Sequence, residues 1–207
     1  MPTLPPNFDY EQAARCRGAR VVVGLDEVGR GPWAGPVVAC AVNLIGPAPE
    51  GLNDSKKLSA ARREALVPLL KECCEIGFGE ASVEEIDALN IRQATHLAMR
   101  RAIAALPAPP CHILIDGNDR PAWVACAHEL IVGGDARSVS IAAASVLAKS
   151  RRDRGMVALA QQHPGYGWES NAGYGTATHR AGLLQHGVTQ HHRRTFAPIR
   201  KMLCLDA

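Results

Sequence analysis

No apolar stretch in this chain approaches the roughly 20 residues that a membrane-spanning helix requires. A basic-then-apolar leader is also missing, because the opening MPTLPPNFDYEQAARCRG mixes proline with acidic and basic residues. None of the seven cysteines forms a C-x-x-C pair and their number is odd. Cys40, Cys111 and Cys126 lie in apolar, strand-like runs, so they are expected as reduced core thiols of a reducing compartment. There is no internal repeat and no low-complexity linker. These absences point to a cytoplasmic globular protein. Its 207 residues, 47% of them hydrophobic, suffice for one domain with a real core.

Acids are scarce at one end. From Lys149 to Ala207 the cations are Lys149, Arg151, Arg152, Arg154, Arg180, Arg193, Arg194, Arg200 and Lys201, against Asp153, Glu169 and Asp206 alone. Five of the eight histidines fall there too. A net charge of +3 is too mild to demand a polyanionic partner, but this asymmetry is compatible with phosphate contacts.

Periodicity predicts strands over Arg20 to Leu25 and Val37 to Ile45, hairpin neighbours joined by a glycine-rich connection. A helix is predicted over Ser59 to Cys73, a strand over Glu75 to Ala81, and helices over Val83 to Leu89 and Ile91 to Ala105, broken near Asn90. LPAPP, from Leu106 to Pro110, stops the last of these. Strands over His112 to Ile115 and Val124 to Val132 follow, then a long alanine-rich helix from about Ser138 to Gln161. HPGYGWESNAGYGTATH reads as an ordered loop before a short helix over Ala177 to Gln185 and a terminal segment through Leu203. The pattern is that of an α/β domain with a partly antiparallel sheet.

Position singles out four acids. Asp26 and Glu27 end an apolar strand, Asp116 ends HILI ahead of Gly117, and Asp135 stands between a strand-like run and the alanine-rich helix. If those strands are neighbours the carboxylates converge, and like charges in a partly desolvated cleft need a divalent cation. Oxygen-only ligands favour Mg²⁺ or Mn²⁺ over zinc. Two such ions would support in-line hydrolysis of a phosphodiester. The bland alternative makes each acid a helix cap or Asx turn. Gly29-x-Gly31-x-x-Ala34 also matches a loose dinucleotide fingerprint, but its glycines lead through Pro32 and Pro36 into a strand, not into the helix that would hold a pyrophosphate.

Several separated motifs carry a resemblance: LDEVGRGPWAGPVVA from Leu25, NDSKKLS from Asn53, LIDGN from Leu114, GGDARSVSIAAASVLAKSRRD from Gly133, GYGT from Gly173 and HRRTFAP from His192. In that order they resemble the type 2 ribonucleases H, the bacterial ribonuclease HII family, over about Val21 to Ile199. The resemblance implies a ribonuclease H-like fold, a mixed five-stranded sheet flanked by helices. A core over about 18–162 would carry the chemistry, and a helical C-terminal part over about 163–207 would grip the substrate. It implies that Asp26, Glu27, Asp116 and Asp135 bind two Mg²⁺ or Mn²⁺ ions. The cut would fall 5′ to a ribonucleotide in an RNA/DNA hybrid, or to a single ribonucleotide in duplex DNA, leaving 3′-hydroxyl and 5′-phosphate ends.

By the same resemblance, Gly29, Arg30 and Gly31 bring backbone to the sugar at the RNA to DNA junction, and Tyr174 packs on the sugar that follows the ribonucleotide. Lys56, Lys57, Lys149, Arg193 and Arg194 are candidate phosphate contacts. Ser138 and Thr176 could donate to phosphates or could cap helices. Asp153 lies roughly 27 Å along a straight helix from Asp135, so it is expected to pair with an arginine instead of binding the metals. His191 and His192 are not needed as general bases. The protein is expected to act as a monomer, without a membrane and without a convincing clamp-binding peptide in the tail MLCLDA. The rival readings are a nuclease of the same fold acting on DNA and a non-catalytic nucleic-acid-binding protein.

Overall fold

The computed structural model describes residues 5–203. Helix α1 (Asp9–Cys16) leads into β1 (Val22–Val28) and β2 (Val37–Leu44), followed by α2 (Ala60–Cys73), β3 (Cys74–Ala81), α3 (Val83–Leu89) and α4 (Ile91–Ala104). Then come β4 (His112–Asp116), β5 (Ala127–Ile131), α5 (Val139–Gln162), α6 (Trp168–Asn171), α7 (Ala177–His186) and α8 (Ala197–Met202). The strands form one sheet in the order β3-β2-β1-β4-β5. β1 pairs antiparallel with β2 and parallel with β4, and β5 extends the sheet parallel to β4.

Strand alternation divides the core into two layers. Cys40, Val42 and Leu44 of β2 pack with α2 and with Ala142, Ala143, Ala144 and Ala148 of α5. Val37, Ala39 and Ala41 face the other way, with Val23 and Leu25 of β1 and Ala94, Ala98 and Ala102 of α4. Because both faces of the sheet are covered, β2 is buried along its whole length. The alanines let α5 lie close to the sheet, and Gly24 allows the closest approach: a Cβ there would overlap the main chain of Ser140 and Ile141.

Local signals set the helix ends. Ser82 and Glu85 form a capping box on α3, and the Asn90 side chain caps α4 by accepting from the Arg92 and Gln93 amides. Asn90 takes a positive φ of 69°, which stops α3 and restarts the chain as α4. The Ser138 hydroxyl caps α5 by accepting from Ile141 N.

Three expectations are corrected. β5 starts at Ala127, because Val124 N bonds to Pro121 O and turns the chain before the strand begins. Cys111 is exposed and Cys126 only half-buried, leaving Cys40 as the buried thiol of those three. The predicted loop contains the short helix α6. Beyond these three, the N-terminal segment, for which no element was predicted, forms α1, with Asp9 and Glu11 in its first turn and Arg15 in its last. Cys204 and most of the tail lie outside the described residues, and no described helix is long and apolar enough to cross a membrane. Replacing Gly24 with alanine is expected to lower unfolding free energy by about 1–3 kcal/mol through overpacking. A denaturant midpoint unchanged by the substitution would show that α5 does not press on β1.

Candidate active site

The parallel pairing of β1 with β4 sets Leu25 beside Ile115, so that Asp26 and Asp116 follow at adjacent positions. β1 runs on to Val28, past the predicted end at Leu25, so Asp26 and Glu27 lie within the strand, paired with Cys40 and Ala39 of β2, and Asp116 is the last residue of β4. The chain after β5 turns back over them. Gly117 N donates to Ile131 O, and Gly134 N donates to the Asp116 carboxylate at 2.7 Å. That second bond pins the turn holding Asp135 against β4. Asp135 sits in a 3₁₀ turn, Gly134–Ala136, and is not the cap of α5. The bland reading of Asp135 as a helix cap therefore does not hold.

The acids act on one another. Burial, then Glu27, Asp116 and Asp135, push the Asp26 pKa well above the usual carboxylate range, against a lowering hydrogen bond from Ser145. Burial also raises Glu27, with Arg30 opposing and Asp116 adding to the rise. Asp135 is raised by burial, Asp116 and Asp54, with Lys56 opposing. The Lys56 ammonium, on an otherwise exposed side chain, stands 3.5 Å from Asp135. Desolvation opposes its charge, but Asp135, Asp26 and Asp54 outweigh it and hold the lysine above its ordinary pKa. A cation is thus already drawn to the cluster.

Among the described residues no three His, Cys, Asp or Glu side chains form a ready-made metal cage. The donors are oxygens at the open end of a sheet, which suits Mg²⁺ or Mn²⁺. Mg²⁺ is commonly held by one or two carboxylates plus water and substrate phosphate, not by a complete protein shell. The residues therefore fit hard cations that bind with their substrate.

The chain after β1 forms the neighbouring wall. Gly29 has a φ of 94°, and any Cβ there would strike the Arg152 side chain. Gly31 faces Tyr174, and a Cβ on Gly31 would lie 3.2 Å from the Tyr174 ring. Tyr174 is 49% exposed. The structure thus brings Gly31 and Tyr174 together, although 143 positions separate them in sequence. No helix starts at the glycines; β2 follows, as the connection Pro32 to Pro36 implies.

Other candidates fall elsewhere. Lys57 and Arg194 are exposed, and Arg30 reaches the Glu27 carboxylate at 3.4 Å. Lys149 is bound to Asp153, which also meets Arg63 of α2 as its arginine partner. Thr176 is exposed and caps α7 by accepting from His179 N. Two candidates are corrected. Ser138 is fully buried, and its hydroxyl donates to Glu11, so it cannot meet a phosphate. Arg193 is also fully buried, with its guanidinium spent on main-chain carbonyls. Its place in HRRTFAP suggested a surface cation because burial of an arginine without a carboxylate leaves no signature in a single sequence.

Residues with no sequence signal also shape the site. Ser145 bonds to Ser55 at 2.7 Å, joining the segment around Asp54 to α5. Behind Tyr174 lies a buried chain of rings. Trp168 Nε1 donates to His179 Nε2, so His179 carries its proton on Nδ1 and donates it to the Tyr174 carbonyl. His192 must then donate from Nε2 to His179, while its Nδ1 accepts from the Thr189 amide and hydroxyl. Both rings are neutral and fully used, which rules His192 out as a general base.

The strand order, with carboxylates on β1 and at the end of β4, is that of a ribonuclease H-like fold, and solved structures share it. The crystal structure of ribonuclease H2 from Pyrococcus horikoshii OT3 aligns with a TM-score of 0.73 at 25% identity, over 88% of this chain and 96% of that one. The crystal structure of Bst-RNase HIII in complex with Mn²⁺ aligns with a TM-score of 0.68 at 20% identity, over 89% of this chain and 70% of that one. In sequence, the family model described as Ribonuclease HII matches residues 23–199. Ribonuclease HII of Paracoccus denitrificans (strain Pd 1222) is 62% identical over 202 residues, 97% of this chain and 96% of that protein. The chain belongs to the ribonuclease HII family and is a phosphodiester-cleaving endonuclease with ribonuclease H activity.

Two outcomes test this geometry. With metal removed by chelator, Asp26→Asn is expected to raise the melting temperature by relieving repulsion, and the rise that millimolar Mn²⁺ gives the unsubstituted protein should vanish. A variant less stable than the parent in chelator would contradict mutual repulsion. The second outcome concerns pH. Burial, then His179, lowers the His192 pKa to about 4, whereas an unfolded imidazole titrates near ~6.5. Between those values the unfolded chain binds more protons, so this contribution is complete above about pH 6.5 and is lost as pH falls toward about 4. His192→Phe should flatten the dependence of unfolding free energy on pH across that window; an unaltered slope would show that the ring is not buried neutral.

Proposed function

We propose that the protein is a metal-dependent endoribonuclease that cuts the phosphodiester 5′ to ribonucleotides, both in RNA/DNA hybrids and at single ribonucleotides in duplex DNA. The observation that carries this reading is the convergence of carboxylates from β1, β4 and the turn before α5, where burial and neighbouring acids raise the pKa values of Asp26 and Asp135 and the Lys56 ammonium is drawn in. The Mn²⁺ complex of Bst-RNase HIII supports the choice of ion. In this reading Asp26, Glu27, Asp116 and Asp135 hold two Mg²⁺ or Mn²⁺ ions. Bound there, such ions supply charge neutralisation at the attacked phosphate and an acidified water. The products are a 3′-hydroxyl and a 5′-phosphate.

The remaining roles belong to the chain itself. The Gly29–Gly31 backbone and the Tyr174 ring border the place where the ribose sits, one reading the 2′-hydroxyl and the other packing on the next sugar. Lys56, Lys57 and Arg194 are exposed cations able to meet phosphates, and Thr176 offers a hydroxyl at the start of α7. The helical part from about residue 163 grips the duplex beyond the cut.

Asp116→Asn should reduce cleavage by more than the ~100-fold that losing a group supporting a metal ligand can cost, while hybrid binding and folding persist. Retained Mg²⁺-dependent cleavage by the purified variant would refute the assignment. Tyr174→Ala is expected to slow cutting at a lone ribonucleotide about tenfold or more, as stacking contacts of ~1–3 kcal/mol imply, and to slow cutting within an all-RNA strand less. Equal losses on both substrates would reduce the ring to a packing role.

A further inference from the structure

Arg152 and Arg193 are buried side by side without a hydrogen-bonded carboxylate. Burial lowers the Arg152 pKa to about 10 and the Arg193 pKa to about 9, with each cation near the other and Arg152 adding to the depression of Arg193. Their hydrogen bonds end on main-chain carbonyls. Arg152 donates to Ala34, Pro36 and Ala172. Arg193 donates to Gly29, Arg30, Gly35 and Pro36, at 2.5–3.2 Å. Two buried cations without a carboxylate partner are costly to stability, and that cost is met where they hold the loop after β1.

That effect follows from peptide geometry. The Gly29 carbonyl shares its peptide plane with the Arg30 N–H, and the Arg30 carbonyl shares its plane with the Gly31 N–H. In a trans peptide the two groups point in opposite directions, and there is no cis bond among the described residues. Arg193 draws both carbonyls inward. The N–H groups of Arg30 and Gly31 are therefore turned away from the interior, on the stretch where Gly31 meets the exposed Tyr174 ring. Among the described residues, no hydrogen bond takes either amide. A charged donor on each carbonyl also polarises its peptide, which strengthens the N–H on the other side.

We infer that Arg193, braced by Arg152, is a positioning residue for sugar recognition, aiming the Arg30 and Gly31 amides as paired donors at an acceptor oxygen of the substrate ribose. Arg193 does not touch the substrate. Arg152 links this loop to the Tyr174 side of the site through the Ala172 carbonyl, and Trp33 N donates to Gly173 O beside it. The distance between the amide pair and the tyrosine ring is thereby fixed. Arg193→Lys keeps the charge but loses the fork that holds two peptides at once. The inference rests on the reading that this loop meets a ribose.

The test measures affinity for two duplexes, identical except that one carries a single ribonucleotide, using the full chain with Ca²⁺ in place of Mg²⁺ so that both remain uncut. The unsubstituted protein should prefer the ribonucleotide duplex, and Arg193→Lys should reduce that preference about tenfold, the scale set by one to two net hydrogen bonds. The Mn²⁺-induced rise in melting temperature should stay at the parent value, since the carboxylates are untouched. Amide hydrogen exchange on the unsubstituted protein gives a readout that does not depend on the variant folding. Arg30 and Gly31 should be protected by the ribonucleotide duplex and not by its all-DNA counterpart. If the parent discriminates but neither the Arg193→Lys preference nor the exchange at Arg30 and Gly31 changes, this inference falls while the proposed function stands. If the parent shows no preference for the ribonucleotide, both fall.

Discussion

Repulsion between carboxylates is the constraint on which the site depends. Asp26 is almost completely buried, and Glu27, Asp116 and Asp135 all act on its charge. A fold selected for stability alone would not gather acids at one end of a sheet, since each raises the cost of ionising the next. Parallel pairing of β1 with β4 brings the gathering about, because Asp26 within β1 and Asp116 at the end of β4 each follow the matched pair Leu25 and Ile115. The bond from Gly134 N to Asp116 then brings Asp135 in from a third segment. Lys56 offsets part of the charge through one ammonium at 3.5 Å.

A second constraint is positive charge in the interior. Arg152 and Arg193 organise an irregular stretch of chain that no regular secondary structure could satisfy. Their hydrogen bonds replace the ladder that the backbone lacks after β1, and their burial explains the positive φ and absent side chain of Gly29. The buried imidazoles do similar work behind Tyr174, where His179 takes the tyrosine carbonyl. The two sides of the wall formed by the Gly29–Gly31 stretch and Tyr174 are thus held from within by buried groups. Acidic and basic halves of the site differ in kind: the acids raise one another's cost of ionisation, whereas the arginines are hydrogen-bonded to main-chain carbonyls.

Much of this was legible in the sequence because it follows local rules. Alternation along Val37–Leu44 gives a two-faced strand, the alanine run gives a helix that can approach it closely, and Asn90 marks the break between two helices. The four acids stood out by position at the ends of apolar runs. What escaped depends on distant partners. Helix α1 has few apolar residues and is held by the Glu11 carboxylate, which accepts from Ser138 and Ser140 more than 120 positions away. Arg193 and Ser138 look like surface donors until the chain folds over them. Cys111 reads as core from its apolar neighbours, yet it precedes β4 in an exposed bend.

The most direct test is identification of the chemical ends produced from a duplex labelled on both sides of one ribonucleotide, with and without Mg²⁺. The proposed function predicts a 3′-hydroxyl on the upstream DNA and a 5′-phosphate on the ribonucleotide, only when the ion is present. A 2′,3′-cyclic phosphate, cleavage on the 3′ side of the ribonucleotide, or equal cutting in chelator would contradict the account.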